Sequence, residues 1–518
     1  MKLSKLRTLL DWKDSIALVV GGGAIVGMGL SNISRWSIWF DEAFSEHITR
    51  HSFFDILRYT AADVHPPLYY WALKLWRMVF GNSELALRSL SLFFLFLTGV
   101  AVYIFVKAYF SRRAAIYSLL LLTISPLLFR YGIEARMYTM ELLIAIAATA
   151  VLARAVRGRA GRAWLAYGVL LGFGMLTHYL MIVLWAAHGV WLVYQNRQKN
   201  VTSMVKKTLA TGYGKALVVA GGVTALWVPL MVWQIAHIQG GGFWIGAVTM
   251  NTIPNLLGDM YAYKSASEIE GWHAVLIMAT IAASIWAVNK TYRSLSGIRR
   301  QTYSLLITSA VLPPIFLILG SMPPLRSSFV NRYLMASIAV WFIVTAIALA
   351  YLWARPQTSR FARALGVLLV GILLAGCSQV YTTGNINKDN GSIHTMRRAM
   401  QIANNNAEGD EPIIADSPWR YFEASYYEQP PHTVYFRADD NTKVGAYEML
   451  RSETDHKILV MSDFGKKYPV AWFVVAQSRD EASHLPRGWR EVKTYLVDDP
   501  SRLRVVKMEY IGDGLTGQ

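Results

Sequence analysis

The sequence predicts a polytopic α-helical membrane protein, with about eleven transmembrane helices and a small C-terminal α/β domain outside the membrane. Three observations predict it. The 518 residues are 54% hydrophobic and only 16% charged, against about 25% charged in ordinary soluble proteins. Apolar runs near the roughly 17–25 residues that cross a bilayer as a helix recur through residues 1–381. From residue 382 onward the composition turns polar and is broken by short apolar stretches of strand length.

The apolar runs fall at 14–33, 85–110, 114–131, 137–156, 164–176, 179–194, 215–238, 271–288, 304–320, 333–353 and 364–381. The basic residues alternate with them. Lys2, Lys5, Arg7 and Lys13 precede the first run, and Lys107, Arg112 and Arg113 follow the second. Arg154, Arg157, Arg159 and Arg162 separate the fourth and fifth, and Lys199, Lys206, Lys207 and Lys215 the sixth and seventh. Lys290, Arg293, Arg299 and Arg300 separate the eighth and ninth, and Arg355, Arg360 and Arg363 the tenth and eleventh. Every second loop is basic, which puts the N-terminus in the cytoplasm and the C-terminal domain outside.

This topology also accounts for the net charge of +18. No RNA- or DNA-binding motif accompanies the charge, so nucleic acid is not expected as a partner. The basic start followed by an apolar run reads as a retained first span, not a cleaved signal. Cys377 is the single cysteine, which excludes an intramolecular disulfide. Its setting, Leu373-Leu374-Ala375-Gly376-Cys377, resembles a lipoprotein processing site. Such sites follow an N-terminal signal, so Cys377 is read as a small residue near the end of a span.

Two large pieces are expected outside: a first loop over 34–84 and the domain over 382–518. The domain is expected to carry strands at 412–415, 433–436, 458–461 and 471–476, and helices at 394–404 and 421–427. No inverted repeat of the transporter kind is visible.

Candidate chemistry clusters in the outer loops. Asp41 and Glu42 lie just beyond the first span among Trp36, Trp39, Phe40 and Phe44. They are either juxtamembrane polar residues or a general base held at lipid head-group level. Asp63 and His65 precede Pro66-Pro67, which fix the backbone and start a helix at Leu68. Glu134, Arg136 and Tyr138 lie at the short turn between the third and fourth spans. Arg136 there either pairs with Glu134 or faces an anionic head group. His178 occupies the turn between the fifth and sixth spans. Lys264, Arg326 and Arg332 are the remaining outer cations near spans.

Taken in order, the strings Phe40-Asp41-Glu42-Ala43, His65-Pro66-Pro67-Leu68-Tyr69-Tyr70, Leu87-Arg88, Ser125-Pro126, Glu134-Ala135-Arg136-Met137-Tyr138 and Thr177-His178-Tyr179 resemble the bacterial branch of the protein O-mannosyltransferase superfamily. These are GT-C membrane glycosyltransferases (glycosyltransferase 39-like). The resemblance covers roughly the first 200 residues and continues more weakly through Phe329-Val330-Asn331-Arg332-Tyr333. There the family often has proline before the arginine, and this chain has Asn331. The resemblance does not extend to the C-terminal domain.

The resemblance implies transfer of a sugar from a polyprenyl-phosphate donor to an outer-face glycan, lipid or protein, in a bacterial inner membrane. It implies that Asp41 activates the acceptor hydroxyl with support from Glu42. It implies that Arg88, with Arg136 and Arg332 as further candidates, binds the donor phosphate. Asp63, His65, Glu134, Tyr138 and His178 would line the cavity. A carboxylate on the face of the sugar opposite the leaving group suits inversion, and arginines suit the charge building on the departing phosphate. Some relatives use a divalent metal and some do not. Asp63, His65, Glu134 and His178 are ligand types without a ligand spacing. A transporter or flippase of a lipid-linked substrate, or a non-catalytic scaffold displaying the C-terminal domain, are the competing readings.

Overall fold

The computed structural model describes residues 11–158, 161–197, 200–240, 245–383, 396–437, 445–451, 453–476, 486–497 and 503–512. Several residues of the sequence reading, among them Lys2, Lys5, Arg7, Arg159 and Lys199, lie outside the described residues. The chain forms two compact units. Unit 1 is Met1–Ile33 with Arg88–Thr383, and unit 2 is Ser34–Leu87 with Gly384–Gln518.

Unit 1 is helical. Among the described residues, seven helices are long and apolar enough to cross a membrane: Trp12–Asn32, Glu84–Tyr109, Tyr138–Gly158, Gly271–Ser294, Gly297–Leu319, Asn331–Trp353 and Pro356–Thr383. The multi-pass membrane fold expected from composition is therefore present. The other four expected runs take different forms. The run 114–131 is two helices, Arg112–Thr123 and Pro126–Tyr131, with Ser125 extended between them. Pro126 has no N–H to continue the ladder and disfavours a helical residue before it. The run 215–238 becomes Gly212–Thr224 and Val228–Gly240, bent by 78°, where Pro229 interrupts the hydrogen bonding in the same way. The remaining two runs are single shorter helices, Gly161–Thr177 and Met181–Gln195.

The first helix starts with a reciprocal cap, in which the Asp11 carboxylate accepts from the Asp14 N–H at 3.1 Å and the Asp14 carboxylate accepts from the Asp11 N–H at 2.8 Å. Asp14 is fully buried. It also takes the Tyr103 hydroxyl at 2.8 Å, Arg112 Nε at 2.7 Å and the Lys107 ammonium. A buried carboxylate is tolerated because it is paired and hydrogen-bonded on every side. Helix Gly161–Thr177 lies against Gly212–Thr224 through Gly168 and Gly172. A Cβ on Gly168 would stand 2.5 Å from the Ala216 carbonyl oxygen, and one on Gly172 would stand 2.6 Å from Val223. Small residues four apart let two backbones meet where no hydrophobic effect drives helices together. Helix Asn331–Trp353 is the most enclosed of the seven, and packs on Arg112–Thr123, Gly297–Leu319 and Pro356–Thr383.

Unit 2 joins the loop that follows the first span to the C-terminal α/β segment. The sheet has six strands: β1 Ile413–Ala415, β2 Val434–Arg437, β3 Lys457–Ile458, β4 Val470–Ala476, β5 Trp489–Leu496 and β6 Leu503–Tyr510. Their order is β3-β2-β1-β4-β6-β5. The first four pair in parallel, and β6 pairs antiparallel with both β4 and β5. Alternate residues of β4 face one core, where Ala471, Phe473 and Val475 join Ile414, Trp489, Val506 and Met508. Helices Met396–Asn406 and Pro418–Tyr426 match the expected helical segments, with residues 394–395 outside the described ones. The expected strand at 458–461 is shorter, because Met461 begins the helix Met461–Lys467. Helix Pro418–Tyr426 packs on β1 and β2, and also on helix Phe40–Ile48 of the first loop.

Candidate active site

Unit 1 holds six of the residues singled out in the sequence. Arg88, Arg136 and Arg332 are 4%, 3% and 4% exposed. Arg88, one turn into helix Glu84–Tyr109, donates from Nη1 to the carbonyl of Ile33 at 2.7 Å, capping the first span. The turn after Tyr131 is drawn tight by its own backbone. The Arg136 N–H donates to the Glu134 carbonyl at 2.7 Å, and Ser91 Oγ donates to the same carbonyl at 2.5 Å. The Glu134 carboxylate pairs with Arg130 Nη2 at 2.9 Å, so the arginine one turn before it is an ionic partner. Arg332 lies in the 3-10 turn Asn331–Leu334. Its Nε donates to the Tyr138 hydroxyl at 2.9 Å.

Tyr138 is the hub of this cluster. Its ring centre lies 5.8 Å from Tyr131, 6.3 Å from His178 and 6.1 Å from Tyr333. His178 Nδ1 is 2.9 Å from a carboxylate oxygen of Glu141, and its ring is 4.9 Å from Tyr333. The structure therefore brings Arg332, Tyr138 and His178 together, with Glu141, Tyr131 and Tyr333 added. Glu141 was readable as an acid inside an apolar run, where ionisable residues are rare. Arg130 was readable as the residue four before Glu134.

Beside Arg332, Asn331 Nδ2 donates to Asp259 Oδ2 at 2.5 Å. Asp259 belongs to the short helix Thr252–Tyr261. Burial pushes its carboxyl up to about 6, the Asn331 hydrogen bond opposes that, and the charge of Glu268 adds to it. Asn331, the residue before Arg332, thus supplies a donor to a half-buried acid. Nothing in the sequence reading pointed to Asp259.

Unit 2 holds Asp41, Glu42, Asp63 and His65. Asp41 and Glu42 occupy the first turn of helix Phe40–Ile48, where the helix dipole favours carboxylates. Glu42 is buried. Phe40 and Phe44 set this helix on Phe422 at centroid distances of 5.8 and 6.0 Å. Next to Phe422, the side chain of Glu423 is buried and takes the Phe40 N–H. Burial pushes the Glu423 carboxyl up to about 8; Arg420 and the Phe40 N–H oppose this, while the charges of Asp41 and Asp416 add to it. Asp41 therefore has a second acid neighbour, from far along the chain. Asp63 ends helix Phe53–Ala62, and its carboxylate lies 3.2 Å from His65 Nδ1. Helix Leu68–Phe80 starts after the two prolines, as expected.

The four residues weighed as metal ligands are each engaged in pairs: Asp63 with His65, Glu134 with Arg130, and His178 with Glu141. Among the described residues, the group of three with ligand atoms within 4.8 Å of one another is His47, His51 and Glu453.

Residues 64–224 match the family described as Dolichyl-phosphate-mannose-protein mannosyltransferase. The matched stretch contains His65, Arg88, Glu134, Arg136, Tyr138 and His178. The fold is similar to that of ArnT from Cupriavidus metallidurans in the apo state, with a TM-score of 0.59 at 14% identity, covering 96% of this chain and 98% of that one. The same protein bound to undecaprenyl phosphate gives a TM-score of 0.56 at 14% identity, covering 94% and 97%. A comparison with curated proteins found no match. The resemblance read from the sequence is borne out: this is a multi-pass membrane protein of the GT-C glycosyltransferase fold, and its residues 64–224 match the mannosyltransferase family of that fold.

Proposed function

We propose that the chain transfers a sugar from a polyprenyl-phosphate donor to an acceptor on the outer face of a bacterial plasma membrane, with inversion at the anomeric carbon. The acceptor is a glycan, lipid or protein of the cell envelope. The observation that carries this reading is the burial of Arg88, Arg136 and Arg332 in the unit that also carries the spans. Keeping guanidinium groups from water costs several kcal/mol each unless anions and hydrogen bonds compensate. A phosphate arriving on a lipid is such an anion, and arginine matches its oxygens with paired donors. The family match over 64–224 and the ArnT structure solved with undecaprenyl phosphate support the same donor class.

The chemistry is assigned as follows. The acceptor hydroxyl attacks the anomeric carbon and passes its proton to the Asp41 carboxylate. The bond from that carbon to the phosphate oxygen breaks, and the phosphate leaves with the electron pair. Arg88, Arg136 and Arg332 receive the added charge. Glu42 supports Asp41, and Tyr138 orients Arg332 through their hydrogen bond. His65, Asp63, Glu134 and His178 shape the walls. A divalent metal, if bound, would supply Lewis-acid charge toward the departing phosphate alongside the arginines.

The test is sugar transfer by the purified protein, wild type against Asp41→Asn, with a panel of polyprenyl-phosphate sugars and a membrane-extract acceptor pool. Asparagine keeps the shape and removes the base. Transfer by wild type and silence from a folded, lipid-binding Asp41→Asn protein are expected. Equal transfer by both proteins would remove Asp41 from the role of base. Lipid binding without turnover by either would favour a transporter.

A further inference from the structure

We propose that His47, His51 and Glu453 form a transition-metal site of the zinc type, which ties the end of helix Phe40–Ile48 to the C-terminal α/β segment within unit 2. The inference is independent of the glycosyltransferase reading. It begins with spacing. His47 is the penultimate residue of its helix, and His51 follows four residues later, so one turn of chain brings the two rings to one side. Glu453 lies between the 3-10 turns Gly445–Arg451 and Thr454–His456. One ligand atom from each of the three lies within 4.8 Å of the others. A tetrahedral zinc with bonds of about 2.0–2.2 Å wants its ligand atoms about 3.3 Å apart. Small side-chain rotations close that difference.

The surroundings are those of a built site. The His47 ring is walled by Phe422 at 5.0 Å and Tyr421 at 6.1 Å, and the His51 ring by Tyr59 at 5.0 Å. Those aromatic walls limit rotamers and water. The Tyr421 hydroxyl donates to Glu453 Oε2 at 2.6 Å, fixing the carboxylate from behind. Such outer partners orient metal ligands. His47 Nε2 contacts Glu453 Oε1. The buried Nδ1 of His47 and Nε2 of His51 have no hydrogen-bond partner among the described residues, and orphaned buried nitrogens call for an explanation. The adjacent cation, Arg50, is turned toward Glu46, with Nε at 2.9 and 3.1 Å from its two oxygens.

Two imidazoles and one carboxylate select zinc or a neighbouring transition metal over magnesium and calcium, which take oxygen ligands. Three protein ligands leave a fourth position for water. The clamp would hold still the helix whose first turn carries Asp41 and Glu42.

The experiment is metal analysis of the full chain, purified in detergent with a tag other than polyhistidine. The protein is stripped with a chelator and then dialysed against equimolar zinc and magnesium. About one zinc and no magnesium per chain is expected, with a rise of several degrees in Tm on zinc addition. His51→Gln and Glu453→Gln are expected to lose the zinc and the Tm response. His51 is only partly buried, so that variant decides the matter if Glu453→Gln does not fold. Less than about 0.1 zinc per wild-type chain, or full zinc retention by a folded His51→Gln protein, overturns the proposal. The first result would leave a His47–Glu453 ion pair alone, and the second would place the metal elsewhere.

Discussion

Glu423→Gln should stabilise the protein, and only at neutral to alkaline pH. Burial moves the Glu423 carboxyl from 4.5 up to about 8. Below pH 4.5 the folded and unfolded states both hold the proton, so the group is neutral in each. Between 4.5 and about 8 the folded state keeps the proton that the unfolded state releases, so stability falls as pH rises. Above about 8 the folded state ionises too, and the full penalty is present. At about 1.4 kcal/mol per unit the ceiling is about 5 kcal/mol, and relaxation of the site brings the expected figure to about 2–5 kcal/mol. Glutamine keeps an oxygen for the Phe40 N–H and never ionises. In a unit the size of unit 2, each kcal/mol moves Tm by about 2–4 °C. The assay is thermal unfolding of wild type and Glu423→Gln from pH 5 to 9. The difference should be near zero at pH 5 and reach at least about 5 °C at pH 9. A difference that is constant across this range, or that grows toward acid, would refute the reasoning.

Four further outcomes are expected. Asp41→Asn should lower sugar transfer by at least about 100-fold while donor-lipid binding stays within about threefold, as loss of a general base predicts; parallel loss of binding would point to a structural role instead. Arg332→Lys removes the planar donor that reaches Tyr138, and donor-lipid affinity should fall by about 10–100-fold, measured by titration with a polyprenyl-phosphate sugar; unchanged affinity would take Arg332 out of the phosphate site. Gly168→Ala drives a Cβ toward the Ala216 carbonyl and should destabilise by about 1–3 kcal/mol, read as a lowered Tm; a neutral result would mean the two helices separate at little cost. Chelation should lower the Tm of wild type and leave His51→Gln unchanged, and the reverse pattern would remove the metal clamp.

The long spans were legible because an apolar run in a membrane protein has one dominant solution, a helix that satisfies its own backbone. The breaks were less legible. Pro126 and Pro229 lie inside apolar stretches, and hydropathy averages over them while backbone hydrogen bonding does not. In the α/β segment, β1, β2 and β4 stand out as compact apolar runs. β5 does not, because most of Trp489–Leu496 faces solvent at the sheet edge, where charged residues such as Arg490 and Lys493 guard the strand's open edge. At the candidate site, local spacing could have carried both Asp63–His65 and Arg130–Glu134. It could not reveal Glu423 beside Asp41, Glu453 beside His47, or Asp259 beside Asn331. Those pairings join segments far apart in the chain, and only the fold brings their burial and charge together.

The interleaving of unit 2 has a consequence for biogenesis. Residues 34–87 must fold against residues 384–518, and the Ile38 N–H, for example, awaits the Tyr427 hydroxyl at 2.7 Å. The roughly 300 residues of spans between them take about 15–60 s to translate. Throughout that interval helix Phe40–Ile48 lacks the surface that covers Phe40 and Phe44. Pairing across so long a separation is slow, and the exposed apolar face invites aggregation. The first loop is thus an orphan during synthesis. Truncated chains lacking the C-terminal segment should be recognised by chaperones and proteases at that loop before any defect in the spans is felt.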